Sequence, residues 1–221
     1  MEATTETLVE KLYMKDMTQQ KMYKTFGLQK VSALPELEEW LTNLSELTRF
    51  QTEAAEFYQQ RLLDNIDSWN EQELSLGFIG PIINLINFKV PYKLNFFAQR
   101  SISATIGNYE LLGRPDGIIA SGNFEPEQPY FSFKEYKKDI DSSGDPIAQN
   151  LAAMLVGQHH NGDDRPVYGC YVVGRFWYFM VLKGKQYAIS KDYSASQEDI
   201  YEIVQILDAL RNILLKWIEE Q

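Results

Sequence analysis

Two runs decide the fold: Gly113-Arg114-Pro115-Asp116-Gly117-Ile118-Ile119-Ala120 and Tyr130-Phe131-Ser132-Phe133-Lys134-Glu135-Tyr136-Lys137. They read as two strands joined by a polar turn, Ser121 to Gln128. In a strand, residues i and i+2 point to one face. Glu135 and Lys137 therefore project side by side, and a neighbouring strand can bring Asp116 up to them. Two carboxylates and an ammonium converging on one spot make a candidate divalent-metal site with an adjacent cation. Composition sets the register of the second run. Ser132-Phe133-Lys134 puts a serine where an acid is needed, whereas Glu135-Tyr136-Lys137 supplies acid and lysine together.

Downstream, Asp139 to Asp145 is a polar loop, and Pro146 opens a helix over Ile147 to Gln158 in the preferred first-turn position. His159 to Arg165 reads as another polar loop. Val167 to Val173 and Phe176 to Leu182 are β-like, with Gly174-Arg175 as the tight turn between them. Gln186 to Ser190 follows as a shorter strand. Ser194 or Ser196 caps a last helix, Gln197 to Glu220, whose apolar residues recur from Ile200 to Ile218 at helical spacing. Upstream, Tyr92 to Ala104 reads as one strand and Tyr109 to Ala120 as the next.

Before the strands the chain is helical in pattern. Ser68 or Asn70 caps a helix whose stripe runs Leu74, Phe78, Ile79, Ile82, Ile83 and Ile86, with Pro81 expected to kink or divide it. Pro35, followed by Glu36, Glu38 and Glu39, opens a helical pattern that continues to Ile66 as one helix or two. Thr5 to Asp16 has helical character, and Met17 to Val31 is ambiguous. The order is helix, strands, helix, strands, helix. It predicts an α/β chain, a three-layer sandwich with a central mixed β-sheet flanked by helices. Residues 1–67 form a helical N-terminal extension that packs on the core or pairs with another copy as a homodimer. Residues 68–221 form the core domain.

The 221 residues are 44% hydrophobic and 24% charged, an ordinary globular balance. No apolar run approaches the ~20 residues needed to span a bilayer, and the polar, acidic start has no signal-peptide h-region. A single cysteine, Cys170, leaves no intrachain disulfide and fits a reducing cytoplasm. The net charge of −10 argues against a general nucleic-acid coat. The excess sits mostly in residues 1–80, with 14 acids and 7 bases, net −7. Residues 81–221, with 17 acids and 14 bases, are close to balance at net −3.

Asp116, Glu135 and Lys137 have the residue types that metal-assisted phosphodiester hydrolysis uses. Carboxylate oxygens hold Mg²⁺, with Mn²⁺ as a substitute, and the ion also binds substrate phosphate. A lysine ammonium orients the attacking water or stabilises charge developing on phosphorus. Pro115-Asp116 followed by Glu135-Tyr136-Lys137 resembles the PD-(D/E)XK nuclease superfamily, and the order α-β-β-β-α-β resembles that family's core. The resemblance covers about residues 68–190 and implies a restriction-endonuclease-like nuclease core. Gln149, on the helix after the lysine strand, resembles a glutamine that several branches place near the site. Asn70-Glu71-Gln72-Glu73 followed by Phe78-Ile79-Gly80-Pro81 resembles the first core helix of restriction-type members. There the resemblance makes Glu73, or else Glu71, a further metal ligand or site acid.

Each of these residues also has a plainer reading. Pro115-Asp116-Gly117 is a turn signal, Glu135 and Lys137 can be a solvated pair, Gln149 a surface residue and Glu73 a first-turn acid. His159 and His160 read as loop histidines, Cys170 as core, and Trp177, Tyr178 and Phe179 as packing. The expected function is a Mg²⁺-dependent nuclease acting on DNA. The alternative is a non-catalytic binding or assembly module on the same fold.

Overall fold

Between Tyr109 and Ala120 the chain changes sheets. A computed structural model describes residues 9–136 and 144–220. Strand β1 (Glu10–Tyr13) leads through a 3₁₀ turn, Met14–Asp16, to α1 (Gln19–Lys21), a π turn over Met22–Phe26 and β2 (Gln29–Lys30). Helices α2 (Pro35–Thr42) and α3 (Arg49–Asn65) follow. Then α4 (Glu71–Leu74) passes through a π turn, Ser75–Ile79, into α5 (Gly80–Asn84). Next come β3 (Asn95–Ala98), β4 (Ile102–Ile106), β5 (Tyr109–Gly113), β6 (Gly117–Ala120) and β7 (Pro129–Tyr136). Helix α6 (Pro146–Asn161) precedes β8 (Val167–Val173), β9 (Phe176–Lys183), β10 (Gln186–Ile189) and β11 (Tyr193–Ser194), and α7 (Asp199–Glu219) closes the chain.

The large sheet has eight strands. Seven run in the order β2-β10-β9-β8-β7-β6-β3, and β11 pairs with β9. It is mixed, because β7 runs parallel to β8 while β6 and β9 run antiparallel to their neighbours. The expected α/β class with a mixed sheet and helices is therefore present. A second sheet of three strands, β1-β5-β4, stands beside it.

Two long strands expected from the sequence are each divided. Tyr92 to Ala104 splits into β3 in the large sheet and β4 in the small one. The break falls at Gln99, whose φ of 50° takes the backbone into the left-handed region. Tyr109 to Ala120 splits into β5 and β6 at Arg114-Pro115-Asp116. Pro115 has no N–H to give to a ladder, so a strand is interrupted there at least cost. Helical character over Thr5 to Asp16 is corrected where the chain is described: Glu10–Tyr13 is a strand, in parallel register with Tyr109–Leu112 of β5.

Local chemistry explains most helix ends. The pattern from Pro35 to Ile66 makes two helices, because Thr48 and Gln51 close a capping box that starts α3 afresh. The disturbance expected at Pro81 takes the form of the π turn over Ser75–Ile79. A proline cannot donate to the preceding turn, and a wider turn relieves that clash. Helix α6 runs on to Asn161 and ends at Gly162 with φ 64°, so His159 and His160 lie in its last turn rather than in a loop. Neither Ser194 nor Ser196 caps α7. The N-cap is Glu198, and Asp199 instead accepts the Ser194 N–H at 2.8 Å.

The alternation of side chains along the large sheet feeds two apolar clusters. Ile119, Phe131, Phe133, Cys170, Trp177 and Phe179 join one cluster with α2, α4, α5 and α7. Ile118, Ala120, Tyr171, Met180 and Leu182 join the other with α6, Met14, Met17 and Met22. Helix α7 buries Ile200, Ile203, Val204, Leu207, Leu210 and Leu214 completely. Each such side chain removed from water is worth about 1.5–3 kcal/mol. The N-terminal segment belongs to both clusters: Trp40 is fully buried in the first, and Met22 is 1% exposed in the second. Among the described residues, no helix is long and apolar enough to cross a membrane.

Candidate metal-binding site at the sheet junction

Asp116 is the last residue of the crossing between the two sheets. Its carbonyl accepts the Gln99 N–H at 3.0 Å, so the two crossings, at Gln99 and at Asp116, are tied together. Arg114 reinforces the tie through its Nε, which donates to the Gln99 carbonyl. Gly117 then begins β6. A Cβ there would stand 2.7 Å from the Phe96 ring, so only glycine lets Phe96 close over the start of the strand. Asp116 is half-buried and lines a cavity of about 550 Å³. Its other walls include Phe50 and Tyr58 from α3, Leu76, Ile79 and Pro81 from the α4–α5 segment, Phe96 from β3 and Phe133 from β7.

The antiparallel pairing of β6 with β7 brings the second half of the candidate set close. Gly117 stands opposite Phe133, Ile118 opposite Ser132 and Ile119 opposite Phe131. The backbone of β7 continues past Phe133 alongside Asp116. Glu135 occupies the register position opposite Val172 of β8, two residues beyond Phe133. Lys137 lies outside the described residues. Asp116 and the backbone of Glu135 are thus gathered at one end of two adjacent strands.

Glu73 is committed elsewhere. Its Oε2 accepts the Asn70 N–H at 2.7 Å, while Asn70 Oδ1 accepts the Glu73 N–H at 3.0 Å. This reciprocal pair is a capping box that starts α4. Glu73 is exposed and does not line the Asp116 cavity, whose nearest helical wall begins at Ser75. Glu71 stands in the first turn of the same helix. Gln149 is also outside that cavity. It lines a different one, of about 470 Å³, with Lys15, Ser101, Ser103, Arg114 and Pro115. Its Nε2 donates to the Lys15 carbonyl at 3.2 Å. The two cavities meet along the chain, since Pro115 lines one and Asp116 the other.

The remaining flagged residues have structural places. His160 Nε2 is 2.8 Å from the Ser103 carbonyl, joining α6 to β4. Cys170 is fully buried, and burial pushes its thiol well above the ordinary range. Trp177 and Phe179 are fully buried core. Tyr178 stacks on Tyr171 with ring centroids 4.6 Å apart. The sequence did not single out Lys15. Its signal, one basic residue in a short polar stretch, is legible only once β1 is seen to pair with β5. In comparisons with known proteins, no family model matches the chain, and no curated protein matches it.

Proposed function

We propose that this chain is a metal-dependent nuclease of the PD-(D/E)XK kind, with Asp116 and Glu135 as metal ligands and Lys137 as the catalytic cation. The observation that carries the reading is the half-buried Asp116, opening onto a cavity at the β6–β7 end where the Glu135 backbone runs alongside. The topology supports it. Strands β3, β6, β7 and, after α6, β8 lie side by side in chain order. The α4–α5 segment precedes β3, so the succession is α-β-β-β-α-β, with β4 and β5 as an insertion. The clusters on the two faces, one helped by α4, α5 and α7 and the other by α6, agree with helices on both sides of the sheet.

The donor set fits a hard divalent cation. Two carboxylates leave room for water and phosphate oxygens, as Mg²⁺ or Mn²⁺ requires. When bound, the ion supplies a water of lowered pKa and neutralises charge building on phosphorus. Asp116 is anchored through its own carbonyl to Gln99, which fixes the carboxylate-bearing turn. Lys137 orients the attacking water by donating to it. Phe96, Phe133 and Ile79 exclude bulk solvent from the inner wall. Glu73 holds the start of α4 and takes no part in the ligand set. Gln149 positions Lys15 rather than the metal.

The test is cleavage of a panel of single-stranded, duplex and branched DNA and of RNA, with Mg²⁺ or Mn²⁺. Asp116→Asn, Glu135→Gln and Lys137→Ala are each expected to reduce cleavage about 10²-fold or more, with unchanged thermal unfolding. A wild-type protein that cuts nothing on the panel overturns the reading. One observation favours the second reading, an assembly module. Helix α3 leaves Phe50, Phe57 and Leu63 exposed at 69%, 57% and 45%. A dimer in solution that dissociates on Phe57→Glu, from a chain with no cleavage activity, is its signature.

A further inference from the structure

The cavity beside the metal site has a chemistry of its own. Among the described residues its charged lining groups are Lys15 and Arg114, both basic, and no described Asp or Glu lines it. In a chain of net charge −10 that is a local inversion of sign. Ser101, Ser103 and Gln149 add neutral hydrogen-bonding groups. Arg114 spends its Nε on the Gln99 carbonyl, which aims the guanidinium while its outer nitrogens make no protein hydrogen bond among the described residues. Lys15 is exposed, and among the described residues neither cation forms an ion pair.

The two cations meet through the small sheet. Strand β1 pairs with β5 so that Tyr13 stands opposite Leu112. The next residue, Met14, packs on Gly113, where a Cβ would lie 2.5 Å from Met14 Cγ. The missing side chain at Gly113 therefore lets the turn after β1 sit directly against the turn before Asp116, which sets Lys15 across from Arg114. Gln149 fastens the arrangement by holding the Lys15 carbonyl.

We propose that Lys15 and Arg114 form a phosphodiester-binding cleft that takes the polynucleotide backbone next to the phosphate at Asp116. The ligand's identity as a polynucleotide rests on the nuclease reading above. The cleft turns the N-terminal strand into part of the substrate-binding surface. Arginine forks two phosphate oxygens while lysine contributes a point charge. A cleft one residue from the metal-bearing aspartate spaces adjacent phosphates along one strand.

The test is fluorescence anisotropy of a labelled single-stranded oligodeoxynucleotide in EDTA, titrated over about 50 to 200 mM salt. The Lys15→Ala/Arg114→Ala double variant is expected to bind about tenfold more weakly and to lower the salt slope by about 1.4, the loss of two single-strand phosphate contacts. Lys15→Arg/Arg114→Lys retains most of the affinity. Thermal unfolding of each variant matching wild type excludes misfolding. Failure of the wild type to bind the strand, or wild-type affinity and slope in the alanine double variant, overturns the cleft. Competition by inorganic phosphate equal to that of the strand, at matched phosphate concentration, overturns the polynucleotide assignment. Cleavage that Asp116→Asn abolishes, with binding indifferent to the alanine pair, leaves the nuclease standing without the cleft. Binding lost in the alanine pair of a chain that cuts nothing leaves the cleft without the nuclease.

Discussion

Trp40 donates its indole N–H to the carbonyl oxygen of Ile206 at 2.8 Å, joining α2 to the last helix across 166 positions of sequence. The ring is fully buried, edge-on to Tyr168 and Phe179 at 4.9 and 5.2 Å. Trp40→Ala is expected to cost about 3–5 kcal/mol, the usual range for emptying a core tryptophan site. Trp40→Phe keeps most of the packing and loses the hydrogen bond, and is expected to cost about 1–3 kcal/mol. Denaturant unfolding measures both. A near-neutral Trp40→Ala variant would show that residues before 67 are peripheral to the core.

Gly117 and Phe96 make a second exacting contact. An alanine at 117 meets the Phe96 ring at 2.7 Å and Phe133 Cβ at 3.4 Å. Gly117→Ala is expected to destabilise by about 1–3 kcal/mol through overpacking. It is also expected to lower cleavage more than stability, because the strain falls next to Asp116. Adding Phe96→Leu should restore stability by vacating the ring's place. Chemical unfolding and cleavage rates on the same three proteins separate the two effects.

Glu73 separates capping from catalysis. Glutamine also closes a capping box, so Glu73→Gln is expected to keep both the melting temperature and the cleavage rate. Glu73→Ala opens the cap and is expected to cost about 0.5–1 kcal/mol. If Glu73→Gln instead abolished cleavage with the fold intact, the acid would belong to the metal site.

The pair formed by Lys183 and Glu36 gives stability a defined pH dependence. Burial pushes the Glu36 carboxyl up, but the hydrogen bond from Lys183, a backbone hydrogen bond and the Lys183 charge together outweigh it. The group ends below its ordinary value of 4.5. The hydrogen bond to Glu36 and its charge raise Lys183 above 10.5. A depressed acid stabilises above its unfolded pKa and loses that contribution as pH falls through the folded value. A raised base stabilises below its unfolded pKa and loses that contribution as pH climbs through the folded one. The stability advantage of wild type over Glu36→Gln is therefore expected to be flat between those limits. It should shrink below pH 4.5 and above pH 10.5. Thermal unfolding across that range measures it, and an advantage independent of pH would exclude the pair as its source.

Much of the chain was legible because its signals are local. Helices α6 and α7, the β8–β9 hairpin and β10 follow from apolar periodicity and from Gly174 and Gly184, whose φ of 59° and 57° turn the chain. Asp116 is singled out as a candidate by its neighbours in sequence, Pro115 and Gly117. What sequence could not decide is which strands share a sheet. A period of two is the same in either sheet, so Tyr92 to Ala104 and Tyr109 to Ala120 each read as one strand, although both cross from one sheet to the other. Strands β1 and β2, of four and two residues, have too little pattern of their own and exist through β5 and β10. Glu73 reads from sequence as a site acid or as a first-turn acid because acids near a buried stripe serve either purpose, and the capping role is visible only in the reciprocal bonds with Asn70. Lys15 acquires a role only because Gly113 leaves room for Met14. Local sequence set the elements and the Pro115-Asp116 turn, while long-range pairing decided which charges meet around it.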